Sequence, residues 1–351
     1  MSTVLDRAAR KLEPHNLPSQ YRSLWHCLLA GFQRQTWGAV AALAAGWTAL
    51  PVALWVAVLA GIVGAIGGII AAITTAFQFG SAFAGAAQGI SLFGIIGGAI
   101  AGALTGFGIV YGGPLLSAPG QVIVSLITGA IVAAIITVVV VVAEPWTLKF
   151  RGYRRMSLRE KEKVGPLLTE IAQRMGLGSL PPVMVTDVVG MNAWAHVGAL
   201  AMTRVLIAEL DEDELCGILA HELHHWSVGD TVGHLFVWAC AWPVAVSLNV
   251  GAWLARQNSW LGFIGFVLFW PAWVLTKFLI VPVTARRGRQ QEYDADAAAA
   301  KAGYREGLYQ ALTKIADFET GRTGWEAVLT ATHPPTELRL EKLEAPRESI
   351  I

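Results

Sequence analysis

Two short stretches, HELHH at residues 221–225 and EYDAD at 292–296, decide what this chain folds around. An α-helix advances about 3.6 residues per turn, so His221 and His225 project from one face and can bind the same metal ion. A catalytic zinc site needs three protein ligands, and Glu292 is the best candidate for the third. The pattern therefore predicts a split zinc site.

Residues around the two stretches indicate how such a site would work. Glu222 lies beside the metal's open position, where it can take a proton from water. Asp296 follows Glu292 by one helical turn and can orient a histidine ligand. The alternative is a chance HExxH match on a soluble helix. Asp211 as a helix N-cap, followed by acids and then apolar residues, favours the site because it places the histidines on a helix.

Composition places this site in a membrane protein. No Asp, Glu, Lys, Arg or His occurs between Arg34 and Glu144, a run of about 110 residues, where one bilayer span needs about 20. The net charge of +1 gives no reason to expect a nucleic-acid partner. Three cysteines lie far apart and imply no disulfide framework, which agrees with catalytic parts in a reducing compartment.

The apolar run divides into several candidate spans. Each is close to the length that a crossing requires: Trp37 to Ala60, Gly61 to Phe79, Ile90 to Tyr111 and Gln121 to Ala143. Four crossings are preferred, although the junction at Ala60 has no polar loop and leaves two or three open. Basic residues flank both ends of the run, so the positive-inside rule puts both flanks in the cytoplasm and demands an even number.

Glycines recur at every fourth residue inside this run, at positions 94, 98, 102 and 106. Such a stripe lets helix backbones approach closely in lipid. We favour tight packing within the chain over the alternative, a homo-oligomer interface through the Gly-rich helices.

A second apolar hairpin separates the two halves of the site. Thr231 to Ala255 and Trp260 to Thr284 are each long enough to span, with a polar turn between them. Two antiparallel spans return the chain to its starting side, so HELHH and EYDAD meet at one membrane surface. His221 lies only about 15 Å upstream of this hairpin along a helix. This distance predicts catalysis at the cytoplasmic interface of the membrane.

Between the membrane segments the sequence predicts a small globular unit. Ser157 and Glu160 form a capping-box pattern that opens a helix. VMVTD at 183–187, NAWAHV at 192–197 and the stretch from Thr203 to Ala208 are predicted to be short strands.

These residues resemble a known family, the HtpX-like membrane zinc peptidases, which are relatives of the CAAX prenyl-protein endopeptidases. Four matches carry the resemblance, over about residues 155 to 345: HELHH with Asp230 nine residues after His221, EYDAD, NAWA at 192–195 and THPPTELR at 332–339. Trp194 departs from the family's usual phenylalanine or tyrosine, and residues 35–143 fall outside the resemblance.

The resemblance implies a gluzincin-type fold with His221, His225 and Glu292 as zinc ligands and Glu222 as general base. It further implies that Asn192 and His333 approach the substrate or its oxyanion. Arg339 would anchor the THPP segment, and the aspartates that support the ligands would be Asp230 and Asp296.

The predicted fold is mainly α: multi-pass transmembrane helices with a gluzincin-type zinc peptidase domain, containing a small β-sheet, that a transmembrane hairpin interrupts. The predicted segments are a cytoplasmic tail (1–34), a Gly-rich transmembrane block (35–143), the first part of the peptidase domain (144–230), the hairpin (231–284) and the second part of the domain (285–351).

The sequence favours a zinc endopeptidase of the cell (inner) membrane, active at the cytoplasmic face on protein or peptide substrates. Two alternatives stay open. One is a dedicated processing peptidase for a lipidated or membrane-anchored substrate, and the other is a glycine-zipper scaffold with a vestigial site. The intact set of ligands, base and supporting acid argues against the scaffold.

Topology is directly testable by cysteine labelling in a cysteine-free background. An impermeant reagent added from outside the cell should label position 258, in the hairpin turn, but not position 160 or 340. Labelling at 160 or 340 without labelling at 258 would place the active site on the other side of the membrane.

Overall fold

A computed structural model describes residues 29, 32–54, 66–67, 69, 115–316 and 335–344. Within these ranges the chain is mainly helical, with one small sheet, which confirms the predicted fold class. The described residues belong to two compact units. One contains those of residues 1–39, 132–239 and 281–351, and the other those of residues 40–131 and 240–280.

The helices of the described residues, in chain order, are α1 (Thr36–Ala44), α2 (Pro119–Phe150), α3 (Leu158–Arg174), α4 (Arg204–Glu209), α5 (Glu212–Val228), α6 (Asp230–Cys240), α7 (Trp242–Gln257), α8 (Ser259–Leu275), α9 (Val281–Ala299), α10 (Arg305–Ala316) and α11 (Thr336–Glu344). Turns of π-helix continue α1 over Ala45–Ala49, join α8 to α9 over Thr276–Ile280 and join α9 to α10 over Ala300–Tyr304.

Three helical stretches of the described residues are long and apolar enough to cross a membrane: Thr36–Leu54, Pro119–Phe150 and Leu268–Ala316. The pair α6 and α7 would make a fourth if its two bent helices form one span. The first two stretches overlap the first and last spans predicted in the apolar run. The predicted spans at 61–79 and 90–111, and the glycine stripe at 94–106, lie outside the described residues.

The predicted hairpin differs from expectation in its first arm. This arm breaks at Ala241 into α6 and α7, with a proline at the start of α7. Pro243 lacks the backbone N–H that a continuous helix needs and its ring clashes with the preceding turn, which explains the break. The chain reverses at Asn258, whose side chain accepts a hydrogen bond from the Leu261 backbone N–H at 2.8 Å and begins α8.

Small residues mediate close helix contacts in the second unit. A Cβ added at Gly129 on α2 would fall 2.6 Å from the Trp47 ring, so only glycine permits that contact. The Trp47 indole N–H donates to the Cys240 carbonyl at 3.2 Å. In the hairpin, a Cβ on Gly262 would fall 3.1 Å from Ala255 Cα. Packing through small residues is typical of helices in lipid.

The first unit contains the four-stranded sheet: β1 (Arg154–Arg155), β2 (Val183–Thr186), β3 (Ala193–Ala195) and β4 (Leu200–Thr203). Its strand order is β1-β2-β4-β3, with β2 and β4 parallel and the outer pairs antiparallel. Strand β3 is therefore an edge strand of this sheet. Helix α3 begins with the predicted Ser157–Glu160 capping box.

One predicted strand is wrong. The stretch from Thr203 to Ala208 leaves the sheet at Thr203 and continues as helix α4. The Thr203 hydroxyl accepts a hydrogen bond from the Leu206 backbone N–H and so caps that helix. A short apolar run does not by itself distinguish a strand from a helix. Here the N-cap hydrogen bond of Thr203 favours the helix.

Helices α5 and α10 pack backbone to backbone through two glycines. A Cβ on Gly217 would lie 2.3 Å from the Leu308 nitrogen, and one on Gly307 would lie 2.0 Å from the Asp213 carbonyl oxygen. Real Cβ atoms do not tolerate such distances, so these positions fix how closely α10 approaches the helix that carries HELHH.

We therefore expect Gly217→Ala to lower the free energy of unfolding by about 1–3 kcal/mol, because overpacking outweighs the higher helix propensity of alanine. Gly251→Ala is the matched control, since its added Cβ would meet Phe269 at an ordinary 3.5 Å. Thermal unfolding in detergent measures both. A Gly217→Ala protein as stable as wild type would contradict the packing.

Candidate metal centre

Helix α5 holds the HELHH histidines on a buried face. It begins at a capping box, in which the Asp211 side chain accepts from the Glu214 backbone N–H and Glu214 accepts from the Asp211 N–H. His221 is 4% exposed and His225 is 8% exposed. Gly229 ends the helix with a φ of 77°, a left-handed conformation that glycine adopts without strain. This turn lets α6 begin at once with Asp230.

The Glu292 carboxylate on α9 completes a cluster with the two histidines. Its oxygens lie 3.4 Å from His221 Nε2 and 3.4 Å from His225 Nε2, and the two Nε2 atoms lie 3.1 Å apart. Ligands about 2.0–2.1 Å from a tetrahedral zinc ion would be roughly 3.4 Å from one another. All three side chains are buried and offer donors that zinc accepts. The cluster therefore fits a zinc ion.

Each histidine turns its other ring nitrogen to an aspartate. His221 Nδ1 lies 2.8 Å from Asp296 Oδ1, and His225 Nδ1 lies 3.0 Å from Asp230 Oδ2. Such a contact fixes the tautomer and the ring orientation, so that Nε2 keeps its lone pair for a metal.

Arginines contact both aspartates. Arg339 on α11 donates to Asp296 through Nε at 2.9 Å and Nη2 at 2.6 Å, and its Nη1 lies 3.4 Å from Glu292. Arg34 lies 2.8 Å from Asp230. Arg339 was predicted from the resemblance as a supporting residue that anchors its own segment. A contact between Arg34 and Asp230 was not predicted. In the sequence, Arg34 was distinguished only as one of several basic residues before the apolar run, which indicate membrane orientation.

The acids give the cluster a negative potential. Burial lowers the pKa of His225, but hydrogen bonds to Asp230 and Glu292 outweigh it and raise the pKa to about 10. Burial and Arg339 also oppose the charge of His221, and Asp296 and Glu292 raise its pKa nevertheless. His224 behaves differently: burial and His225 lower its pKa to about 4. The carboxylates around His221 and His225 thus favour positive charge at the cluster. His224 lies outside the cluster.

The remaining predicted site residues are placed as follows. Glu222 is half-buried on α5 and electrostatically raises the pKa of His225. Asn192 is exposed directly before β3, where its side-chain oxygen accepts from the Ala193 N–H at 2.9 Å. His333 lies outside the described residues.

Two side chains from outside the sheet hold the turn between β3 and β4. The Glu144 carboxylate accepts from the backbone N–H groups of Val197 at 3.0 Å and Gly198 at 2.6 Å. The Trp226 indole on α5 donates to the Val197 carbonyl at 3.1 Å. The edge strand is thereby tied to the helix of the metal cluster. Glu144 was recognised in the sequence only as the end of the apolar run.

Known proteins are similar in sequence to part of this chain. A protease HtpX homolog of Methanopyrus kandleri is 28% identical over 222 residues, which cover 56% of this chain and 66% of the relative. A protease HtpX homolog of Pyrococcus furiosus is 26% identical over 231 residues, covering 56% of this chain and 77% of the relative. The chain thus spans slightly less than two thirds of the first relative and about three quarters of the second.

The crystal structure of S. mikatae Ste24p aligns with 62% of this chain and 58% of that chain, at 18% identity and a TM-score of 0.45. Residues 158–347, more than half of the chain, match peptidase family M48. This match confirms the resemblance inferred from HELHH, EYDAD and the two shorter motifs. The chain belongs to peptidase family M48.

Proposed function

We propose that this protein is a membrane-integrated, zinc-dependent endopeptidase that cleaves membrane-associated or misfolded proteins at the cytoplasmic face of the cell (inner) membrane. The observation that carries the proposal is the cluster of His221, His225 and Glu292, whose donor atoms all lie within 4.8 Å of one another. Membership of family M48 and the apolar helices support a membrane peptidase.

Zinc, when bound by these three residues, lowers the pKa of a water molecule to about 7 and polarises the scissile carbonyl. Glu222 accepts the proton of the attacking water and then delivers it to the leaving amine. His333 and Asn192 are proposed to approach the oxyanion or the substrate backbone. Arg339 keeps Asp296 in place, and Asp296 in turn orients His221.

Substrate would bind as an added strand. The edge strand β3 packs beside α5, and an extended peptide can pair with such an edge through backbone hydrogen bonds. This mode reads the backbone of the substrate more than its side chains, which suits unfolded segments of many proteins. Basic residues on both sides of the apolar run favour the cytoplasmic orientation.

The two alternatives make different predictions about substrate. A dedicated processing peptidase would cleave a lipidated or membrane-anchored peptide and leave an unfolded soluble protein such as casein intact. A scaffold would cleave neither.

The metal assignment is tested by elemental analysis of the purified protein. We expect about one zinc per chain in wild type and in Glu222→Gln, and loss of zinc in Glu292→Ala, because two histidines alone leave the ion under-coordinated. A zinc content that does not depend on Glu292 would refute the ligand assignment.

The role of Glu222 is tested by turnover. Replacement by glutamine removes the proton acceptor but keeps the shape, so we expect cleavage of casein and of a membrane-protein substrate to fall by about 10²- to 10⁴-fold. Glu212→Gln, an exposed acid in the first turn of the same helix, is the control and should retain activity.

The scaffold alternative has its own variants. Gly98→Leu and Gly102→Leu should disturb helix packing or assembly while any folded protein keeps its zinc chemistry. If wild type and Glu222→Gln are indistinguishable on both substrates, and only these glycine variants have a cellular phenotype, the peptidase function is wrong.

A further inference from the structure

Arg34 forms an ion pair with the aspartate behind His225. Its Nε and Nη2 atoms lie 2.9 Å and 2.8 Å from Asp230 Oδ1. The other carboxylate oxygen, Oδ2, faces His225 Nδ1 at 3.0 Å. Arg34, which lies just before the first apolar stretch, is thus two contacts from a proposed zinc ligand, although 196 positions separate it from Asp230.

A buried amide network holds this segment in place. Gln35 is 2% exposed, and its side-chain Nε2 donates to the side-chain Oε1 of Gln291 at 3.0 Å. The fully buried Gln291 donates through Nε2 to Asp230 Oδ1. Arg287 Nε donates to the Arg34 backbone carbonyl at 3.0 Å. Both the side chain and the backbone of Arg34 are therefore fixed against α6 and α9.

The chemistry of Asp230 requires such a partner. Only 1% of this residue is exposed, and a buried carboxylate is costly unless it is paired and hydrogen-bonded. A metal-bound histidine is neutral, so it offers Asp230 a hydrogen bond but no charge. Arg34 supplies the permanent positive charge. Arg339 supplies the same to Asp296 behind His221, so each histidine has its own aspartate and arginine.

We propose that Arg34 is a positioning residue of the metal centre: it holds the Asp230 carboxylate in place, so that Asp230 fixes the ring of His225 for zinc. Arg34 and Gln35, which precede the first apolar stretch, then belong to the peptidase centre rather than only to a cytoplasmic flank. The proposal rests on the zinc site of the proposed function.

The test measures zinc release from purified full-length protein in detergent to a chromogenic chelator, which needs no substrate. Arg34→Gln should release zinc roughly tenfold faster or more than wild type, the usual effect of losing a group that supports a metal ligand. Arg34→Lys keeps the charge without the planar fork and should give an intermediate rate. Arg286→Gln removes an exposed charge from α9 and should release zinc as wild type does.

A double-mutant cycle tests whether Arg34 acts through Asp230. If it does, Arg34→Gln should change the release rate little once Asp230→Asn is present. Independent, additive effects of the two substitutions would overturn the proposal, as would a folded Arg34→Gln protein that releases zinc at the rate of wild type.

Folding failure is also informative in this design. If Arg34→Gln alone does not accumulate, the pair Arg34→Gln and Asp230→Asn should accumulate, because no uncompensated buried charge remains. Failure of the pair beside normal accumulation of Asp230→Asn would overturn the proposal. A wild-type protein without zinc refutes the proposed function and this inference together, whereas unchanged release by Arg34→Gln from a zinc-containing protein refutes the inference alone.

Discussion

A buried carboxylate must be compensated by positive charge, and the first unit of this structure meets that requirement twice. Asp296 and Asp230 are 4% and 1% exposed, and each contacts a histidine on one side and an arginine on the other. Leaving either aspartate unpaired would cost several kcal/mol, a large fraction of the stability of a typical domain. Both arginines therefore stabilise the cluster.

This requirement explains why distant parts of the chain meet at one place. Helix α5 supplies the histidines, α9 supplies Glu292 and Asp296, and the two arginines come from near opposite ends of the chain. The predicted transmembrane hairpin between α5 and α9 agrees with this, because an odd number of crossings would separate His221 from Glu292. The glycine contact between α5 and α10 then fixes the histidine helix against the core. The close packing of α5 and α10 thus supports the local geometry of the cluster.

The parts of the site that local patterns determine were predictable from the sequence. Helical spacing gave the shared face of His221 and His225, and the one-turn spacing of Glu292 and Asp296 predicted a ligand with a supporting acid on one helix. The ion pair between Arg34 and Asp230 was not predictable, because a long-range ion pair leaves no periodic pattern in the sequence. The positive-inside rule already accounted for the charge of Arg34.

The same division holds for the fold. The capping box at Ser157 and the N-cap at Asp211 predicted where two helices begin, since a cap depends on residues only three apart. The apolar run from Thr203 to Ala208 satisfied both strand and helix patterns, and a single hydroxyl hydrogen bond at Thr203 decided the outcome. Pro243 would have predicted the break between α6 and α7, but hydropathy alone treats the arm as one span.

The anchoring of the edge strand bears on which substrates the centre would accept. Glu144 and Trp226 fix the β3–β4 turn through backbone groups of Val197 and Gly198, so the strand keeps its position without help from a substrate. A strand that is already in place needs little ordering when a peptide pairs with it, which favours binding through main-chain hydrogen bonds common to all peptides. Specificity for one processed tail would instead require side-chain pockets beside β3. The anchored edge is therefore consistent with the proposed cleavage of extended segments rather than with the dedicated processing of a single substrate.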